Sequence, residues 1–175
     1  MATDRNLVLT GFMGTGKTTV GQLLARRLSM TFVDTDELIE SRHGSITRIF
    51  EEAGEAGFRE IERRVAVEVG RRDGQVIATG GGMLLDPENL AELGRNSRVF
   101  CLTASVEEIH RRVFEEADRD DRPLLNAGDP RQRIIDLLAE RDAGYQGFEE
   151  VSTDGLSVDA VAEEIARRWG VPPAR

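Results

Sequence analysis

Lysine occurs once in this chain, against 22 arginines, and that lysine is Lys17. It stands in Gly11-Phe12-Met13-Gly14-Thr15-Gly16-Lys17-Thr18, the Gly-x-x-x-x-Gly-Lys-[Ser/Thr] spacing of a phosphate-binding loop. Each residue type has a chemical reason. The glycines let backbone N–H groups close around phosphate oxygens, and an ammonium reaches between the β- and γ-phosphates of a nucleotide as a compact point charge. The threonine hydroxyl serves a Mg²⁺ ion. A guanidinium is a wider planar fork, so the arginine that this composition otherwise favours is a poor substitute. Gly14, Thr15, Gly16, Lys17, Thr18 and Thr19 are the expected nucleotide-binding residues.

Two other segments carry groups suited to the same chemistry. Asp34-Thr35-Asp36 follows a short apolar run, and Asp34 is the candidate to join Thr18 in holding Mg²⁺, often through water. Capping of the helix that follows is the competing use of Asp34 and Asp36. Gly80-Gly81-Gly82 closes another apolar run. Three residues without side chains let a substrate come close to main-chain N–H groups, which makes Gly81 and Gly82 candidates to hold a hydroxyl or carboxylate; a flexible turn is the alternative. His43 and His110 have no His or Cys at ligand spacing, so surface or capping roles suit them better than metal binding.

These groups act together only if the fold brings them together. Short apolar runs alternate with amphipathic stretches, the pattern of βαβ units around a parallel sheet. Residues 7–10 read as a buried strand entering the glycine loop, and 17–28 as a helix with Val20, Leu23, Leu24 and Leu28 on one face. Further strands are expected at 31–33, 76–78, 98–102 and 150–152. Helices are expected at 37–42, at 45–50 behind Ser45, and at 55–71 with Phe58, Ile61, Val65 and Val69 inward. Others follow at 86–94 behind Asp86-Pro87, at 105–113, at 129–143, and after Ser157 with Val158, Val161, Ile165 and Trp169 inward. Residues 115–128 crowd Glu, Asp and Arg around Arg122-Pro123 and read as a mobile surface segment. In doubly wound sheets ligands bind beyond the carboxyl ends of the strands, where the glycine loop, the aspartates and the triplet all fall.

Composition bounds the rest. The 175 residues fit one domain, 1–175, and the charge of −9 with a pI near 4.9 argues against nucleic-acid or anionic-membrane partners. One cysteine, Cys101, fits a reducing compartment, and no apolar stretch approaches the ~20 residues that span a bilayer. A cytoplasmic, monomeric protein is expected.

In this order, GFMGTGKT, Phe32-Val33-Asp34-Thr35-Asp36, Gly54-Glu55 with Phe58-Arg59 and Glu62, Gly80-Gly81-Gly82, Arg122-Pro123-Leu124-Leu125, and Glu140-Arg141 with Tyr145 resemble the shikimate kinases over most of the chain. The resemblance implies a three-layer α/β fold of P-loop type, with a five-stranded parallel sheet flanked by helices and a mobile lid over about residues 113–128. It implies transfer of the γ-phosphoryl group of ATP to the 3-hydroxyl of shikimate, with Mg²⁺. Asp36 would hold the acceptor hydroxyls and help to activate one, Arg59 and Arg141 would clamp the carboxylate, Gly81 would offer its backbone, and Arg122 would meet the phosphates from the lid. Lys17, Asp36 and Arg122 are thus the expected catalytic set. Arg111 or Arg112 would stack on adenine. The chain departs from the family pattern in a longer, more acidic lid and in Asp142-Ala143-Gly144, where proline is usual after the carboxylate-binding arginine. A P-loop kinase for another acceptor, gluconate-type or nucleoside monophosphate, and a non-catalytic sensor of a small carboxylate are the competing readings.

Overall fold

The structure, a computed structural model, describes residues 5–114 and 129–170. Strand β1 (Asn6–Gly11) is buried along its whole length, as befits a central parallel strand covered on both faces. It belongs to one five-stranded sheet with β2 (Thr31–Asp34), β3 (Gln75–Ala78), β4 (Ser97–Thr103) and β5 (Glu149–Ser152). The order is β2-β3-β1-β4-β5 and every pairing is parallel.

Side chains on β1 alternate between the two faces, and each face has its own helices. Leu7 and Leu9 meet Val20 and Leu24 of α1 (Lys17–Leu28) and Val161 and Ile165 of α7 (Val158–Trp169). Val8 and Ile77 meet Ile39 of α2 (Thr35–His43), Phe58, Val65 and Val69 of α3 (Ile46–Gly70), and Leu93 of α4 (Pro87–Gly94). Beyond the end of β1, α5 (Val106–Phe114) and α6 (Pro130–Tyr145) enclose Phe12 among Ile109, Val113, Ile134 and Leu137. The result is the three-layer α/β arrangement expected.

The expected helix starts are made by the expected caps. Ser45 accepts from the Arg48 N–H, Asp86 from Glu88, Asp129 from Arg131 and Ser157 from Ala160, each such cap being worth about 1 kcal/mol. The break between the helices expected at 45–50 and 55–71 falls within α3 at Gly54, whose φ of 67° interrupts the helix. One expectation fails: Val158 is 37% exposed. As the first residue of α7 it precedes the inward stripe and instead lines a surface cavity beside the glycine loop. Among the described residues no helix is long and apolar enough to cross a membrane. Arg122, with most of the expected lid, lies outside the described residues.

Candidate active site

The glycine loop leaves β1 and turns through Gly14 and Gly16, whose φ values of 76° and 92° lie in the left-handed region. Gly16 caps α1 without a side-chain acceptor, and the first turn of α1 holds no acidic residue. Its N–H donors and the positive end of its dipole are therefore available to an anion. Lys17 Nζ donates to the Gly11 and Phe12 carbonyls, at 2.8 and 2.9 Å, and the Thr15 hydroxyl donates to Phe12 O at 2.7 Å. Burial lowers the Lys17 pKa to about 8, against the pull of Asp36 and Asp34.

The two aspartates at the end of β2 divide their duties. The Thr18 hydroxyl donates to Asp34 Oδ2 at 2.7 Å, while Asp34 Oδ1 accepts from the N–H groups of Asp36 and Glu37 and so caps α2. Capping and pairing with Thr18 are thus combined in one residue, because a carboxylate has an oxygen for each. Asp36 is no cap. Its Oδ1 is buried with no hydrogen-bond partner, and burial, reinforced by Asp34 and Glu62 and opposed by Lys17, raises its pKa to about 7.

Two helices bring arginines to the same place. Arg59 projects from α3 and is bound by Glu62 (2.6 Å) and Glu55 (3.1 Å). Burial works against its charge, but the two carboxylates outweigh it. Glu62 is 1% exposed, and burial pushes its pKa up despite Arg59. Arg141 projects from α6, is 7% exposed, and has a buried Nη1 with no hydrogen-bond partner. Its guanidinium lies 5.4 Å from the centre of the Phe12 ring.

The glycine triplet is the seam between these groups. A Cβ on Gly80 would stand 2.7 Å from Asp36 Oδ1, one on Gly81 3.1 Å from Arg141 Nη1, and one on Gly82 2.9 Å from Arg59 Nη1. Close approach, rather than flexibility, is what glycine supplies here. The peptide is also fixed: Gly80 N–H donates to Thr35 Oγ1 at 3.0 Å, and the Tyr145 hydroxyl donates to Gly81 O at 2.6 Å.

Gly14, Gly16, Lys17, Thr18, Thr19, Asp34, Asp36, Arg59, Gly81, Gly82 and Arg141 all line one cavity of about 380 Å³. Thr15 and Arg112, with Gly16, Thr19, Leu156 and Val158, line an adjoining cavity of about 220 Å³. Arg112 is anchored there, donating to Gly14 O, Thr153 Oγ1 and Thr153 O, and shares Glu108 with Arg111, which lies on the more exposed side of α5. A phosphate loop, a carboxyl near neutrality and two arginines on one cavity suit phosphoryl transfer to the hydroxyl of a small acid.

The sequence model of the family "Shikimate kinase" matches residues 13–169. The chain belongs to the shikimate kinase family. A shikimate kinase of Caldanaerobacter subterraneus subsp. tengcongensis is 43% identical over 168 residues, 94% of this chain and 96% of that protein. One of Geobacter sulfurreducens is 46% identical over 164 residues, 93% of this chain and 89% of that protein. A solved shikimate kinase from Acinetobacter baumannii, in complex with shikimate, superposes with a TM-score of 0.89 at 36% identity, covering 96% of this chain and 94% of that one. A tunicamycin resistance protein of Deinococcus radiodurans, at 21% identity and a TM-score of 0.61, shares the fold alone.

Among shikimate-kinase features, the residues that reading by type passed over are supports. Phe12, Glu62 and Tyr145 belong to the quoted motifs, yet nothing in their types announces a contact with Arg141, Arg59 or Gly81. The three-residue step from Arg59 to Glu62, one helical turn, was the available signal for that pair.

Proposed function

We propose that this protein transfers the γ-phosphoryl group of ATP to the 3-hydroxyl of shikimate, giving shikimate 3-phosphate and ADP. The observation that carries the reading is a pair of buried, unpartnered, complementary atoms, Asp36 Oδ1 and Arg141 Nη1, on the wall that also holds Lys17. Buried polar atoms are nearly always satisfied, so this wall is built for a ligand offering both a hydroxyl and a carboxylate.

Each residue then has a role. The loop N–H groups and Lys17 bind the phosphates, and Asp36 accepts the proton of the attacking hydroxyl. That oxygen bonds to the γ-phosphorus as the bond to the β-phosphate oxygen breaks, its electron pair leaving with ADP. Arg59 and Arg141 hold the carboxylate, with Gly81 and Gly82 at their side. Arg122 is proposed to meet the phosphates from the lid. Thr18 and Asp34 present adjacent oxygens, a donor set suited to Mg²⁺, which prefers few protein ligands together with water and substrate phosphates. Bound there, the ion would neutralise phosphate charge. Adenine is assigned to the adjoining cavity against Arg112, with Leu156 and Val158 as its apolar wall. Leu156 and Val158 are the large hydrophobic side chains exposed among the described residues, which supports a monomer, and the single free cysteine, Cys101, supports a cytoplasmic one.

The direct test is ADP release from Mg-ATP in the presence of shikimate, gluconate or AMP. Turnover with shikimate alone is expected; turnover only with another acceptor, or tight shikimate binding without turnover, overturns the reading. Arg59→Ala should weaken shikimate by roughly 2–5 kcal/mol in isothermal titration while leaving ATP nearly unchanged. Equal losses for both ligands would contradict the clamp.

A further inference from the structure

Phe12 occupies one of the free positions of the phosphate loop, and its burial has a simple explanation in packing. It is 2% exposed and sits among Ile109, Val113, Ile134 and Leu137 of α5 and α6. A leucine would fill such a site about as well. What only an aromatic ring offers is a face of negative potential, and that face is in use: the Arg141 guanidinium carbon lies 5.4 Å from the ring centre.

Arg141 needs such support. It is 7% exposed, its Nη1 has no hydrogen-bond partner, and no ion pair to it is found among the described residues at the salt-bridge distance that binds Arg59 to Glu62 and Glu55. The two arginines of the clamp are therefore held by different means. Arg59 is fixed by carboxylates, which a substrate carboxylate must share or displace. Arg141 has the Tyr145 hydroxyl beside it and feels the charge of Glu62 without pairing with it, and it rests against an uncharged ring, which steadies the cation without competing for its N–H donors. The orientation is already the useful one, since Nη1 points at Gly81, 3.1 Å from where a Cβ of that residue would stand.

We propose that Phe12 is a positioning residue for the acceptor: the face of its ring holds Arg141 against Gly81 with Nη1 free for the substrate carboxylate. The inference rests on the reading of Arg141 as part of the clamp. It also gives the phosphate loop a second task. The Phe12 carbonyl accepts from Lys17 on the nucleotide side while its ring serves the acceptor side.

The test keeps the ring's size and changes its charge distribution. Phe12 is replaced in the full-length chain by 4-fluoro-, 3,5-difluoro- and pentafluorophenylalanine, alongside Phe12→Leu and Arg141→Lys, and KM for shikimate, KM for ATP and kcat are measured for each. Shikimate KM should climb stepwise with fluorination, reaching roughly 3- to 30-fold at pentafluorophenylalanine, with ATP KM and kcat within about twofold. The methyl ester of shikimate, which has no carboxylate charge, should bind all the ring variants alike. If shikimate KM stays flat across the series while Arg141→Lys raises it, the clamp stands and the role of Phe12 is overturned. If KM falls with fluorination, the ring restrains Arg141 from its substrate and the proposal is likewise overturned. If Arg141→Lys itself leaves shikimate KM unchanged, the clamp reading fails first. Should Phe12→Leu not fold, the fluorinated series still decides.

Discussion

Asp36→Asn should lower kcat by about 10²–10⁴ with ATP and shikimate saturating, the range a positioned general base contributes. The same substitution should make the protein without substrates more stable at pH 8. The sign follows from the environment of Asp36. Burial first, then Asp34 and Glu62, raise its pKa from 3.8 to about 7, so it holds a proton in the folded chain where the unfolded chain has lost it. Stability from that difference is complete below pH 3.8 and is lost as pH rises through 7. The loss is at most about 4 kcal/mol at about 1.4 kcal/mol per pH unit. Asparagine does not titrate and escapes it, although it gives up the attraction of Asp36 for Lys17, so the gain lies below that ceiling. Melting temperatures of the two proteins should therefore diverge between pH 5 and 8, the variant ahead at the alkaline end. A gap independent of pH, or a variant that keeps its kcat, would remove Asp36 from the role given to it. A site residue whose removal stabilises the fold is what a group selected for chemistry looks like.

That environment also marks where sequence reading stops. The order β2-β3-β1-β4-β5 with its flanking helices was legible because each element carried a local signal: the alternation that sends Leu7 and Leu9 one way and Val8 the other, and the caps at Ser45, Asp86, Asp129 and Ser157. The loop, the aspartates and the triplet were legible because phosphate and hydroxyl chemistry limits the residue types that serve it. What was not legible depends on contacts between segments far apart in the chain. Reading Asp34 as either partner of Thr18 or cap set two contacts against each other that share one carboxylate. Reading the triplet as a place of close approach did not say what approaches, and the answer, charged side chains at every one of the three glycines, comes from α2, α3 and α6. What separates Arg111 from Arg112 in the structure, the helix face that meets Thr153, depends on a residue about forty positions away along the chain.

Lys17→Arg should abolish most turnover even though the charge is kept, with kcat/KM for ATP lower by about 10²–10³ or more, the scale on which phosphate-stabilising cations act. The ammonium sits within 2.9 Å of two loop carbonyls, in a space framed by Gly11 and Phe12. A five-donor planar group cannot enter it without moving the loop on which the phosphates rest. The pH dependence separates shape from charge. In the wild type, kcat/KM for ATP with shikimate held well below its own KM should rise as a carboxyl titrating at about 7 ionises and fall as an amine titrating at about 8 loses its proton, a narrow bell whose limbs belong to the Asp36–Lys17 pair jointly. Arginine keeps its charge throughout, so the variant should retain the acid limb and lose the alkaline one, at a rate far below wild type. Wild-type rates in Lys17→Arg would show that a point charge is not required. An unchanged alkaline limb would assign that limb to another group. The one lysine among 22 arginines then has a geometric reason: Arg59 lies between two carboxylates and Arg141 over a ring face, where a planar group fits, whereas Lys17 reaches two loop carbonyls as a point charge.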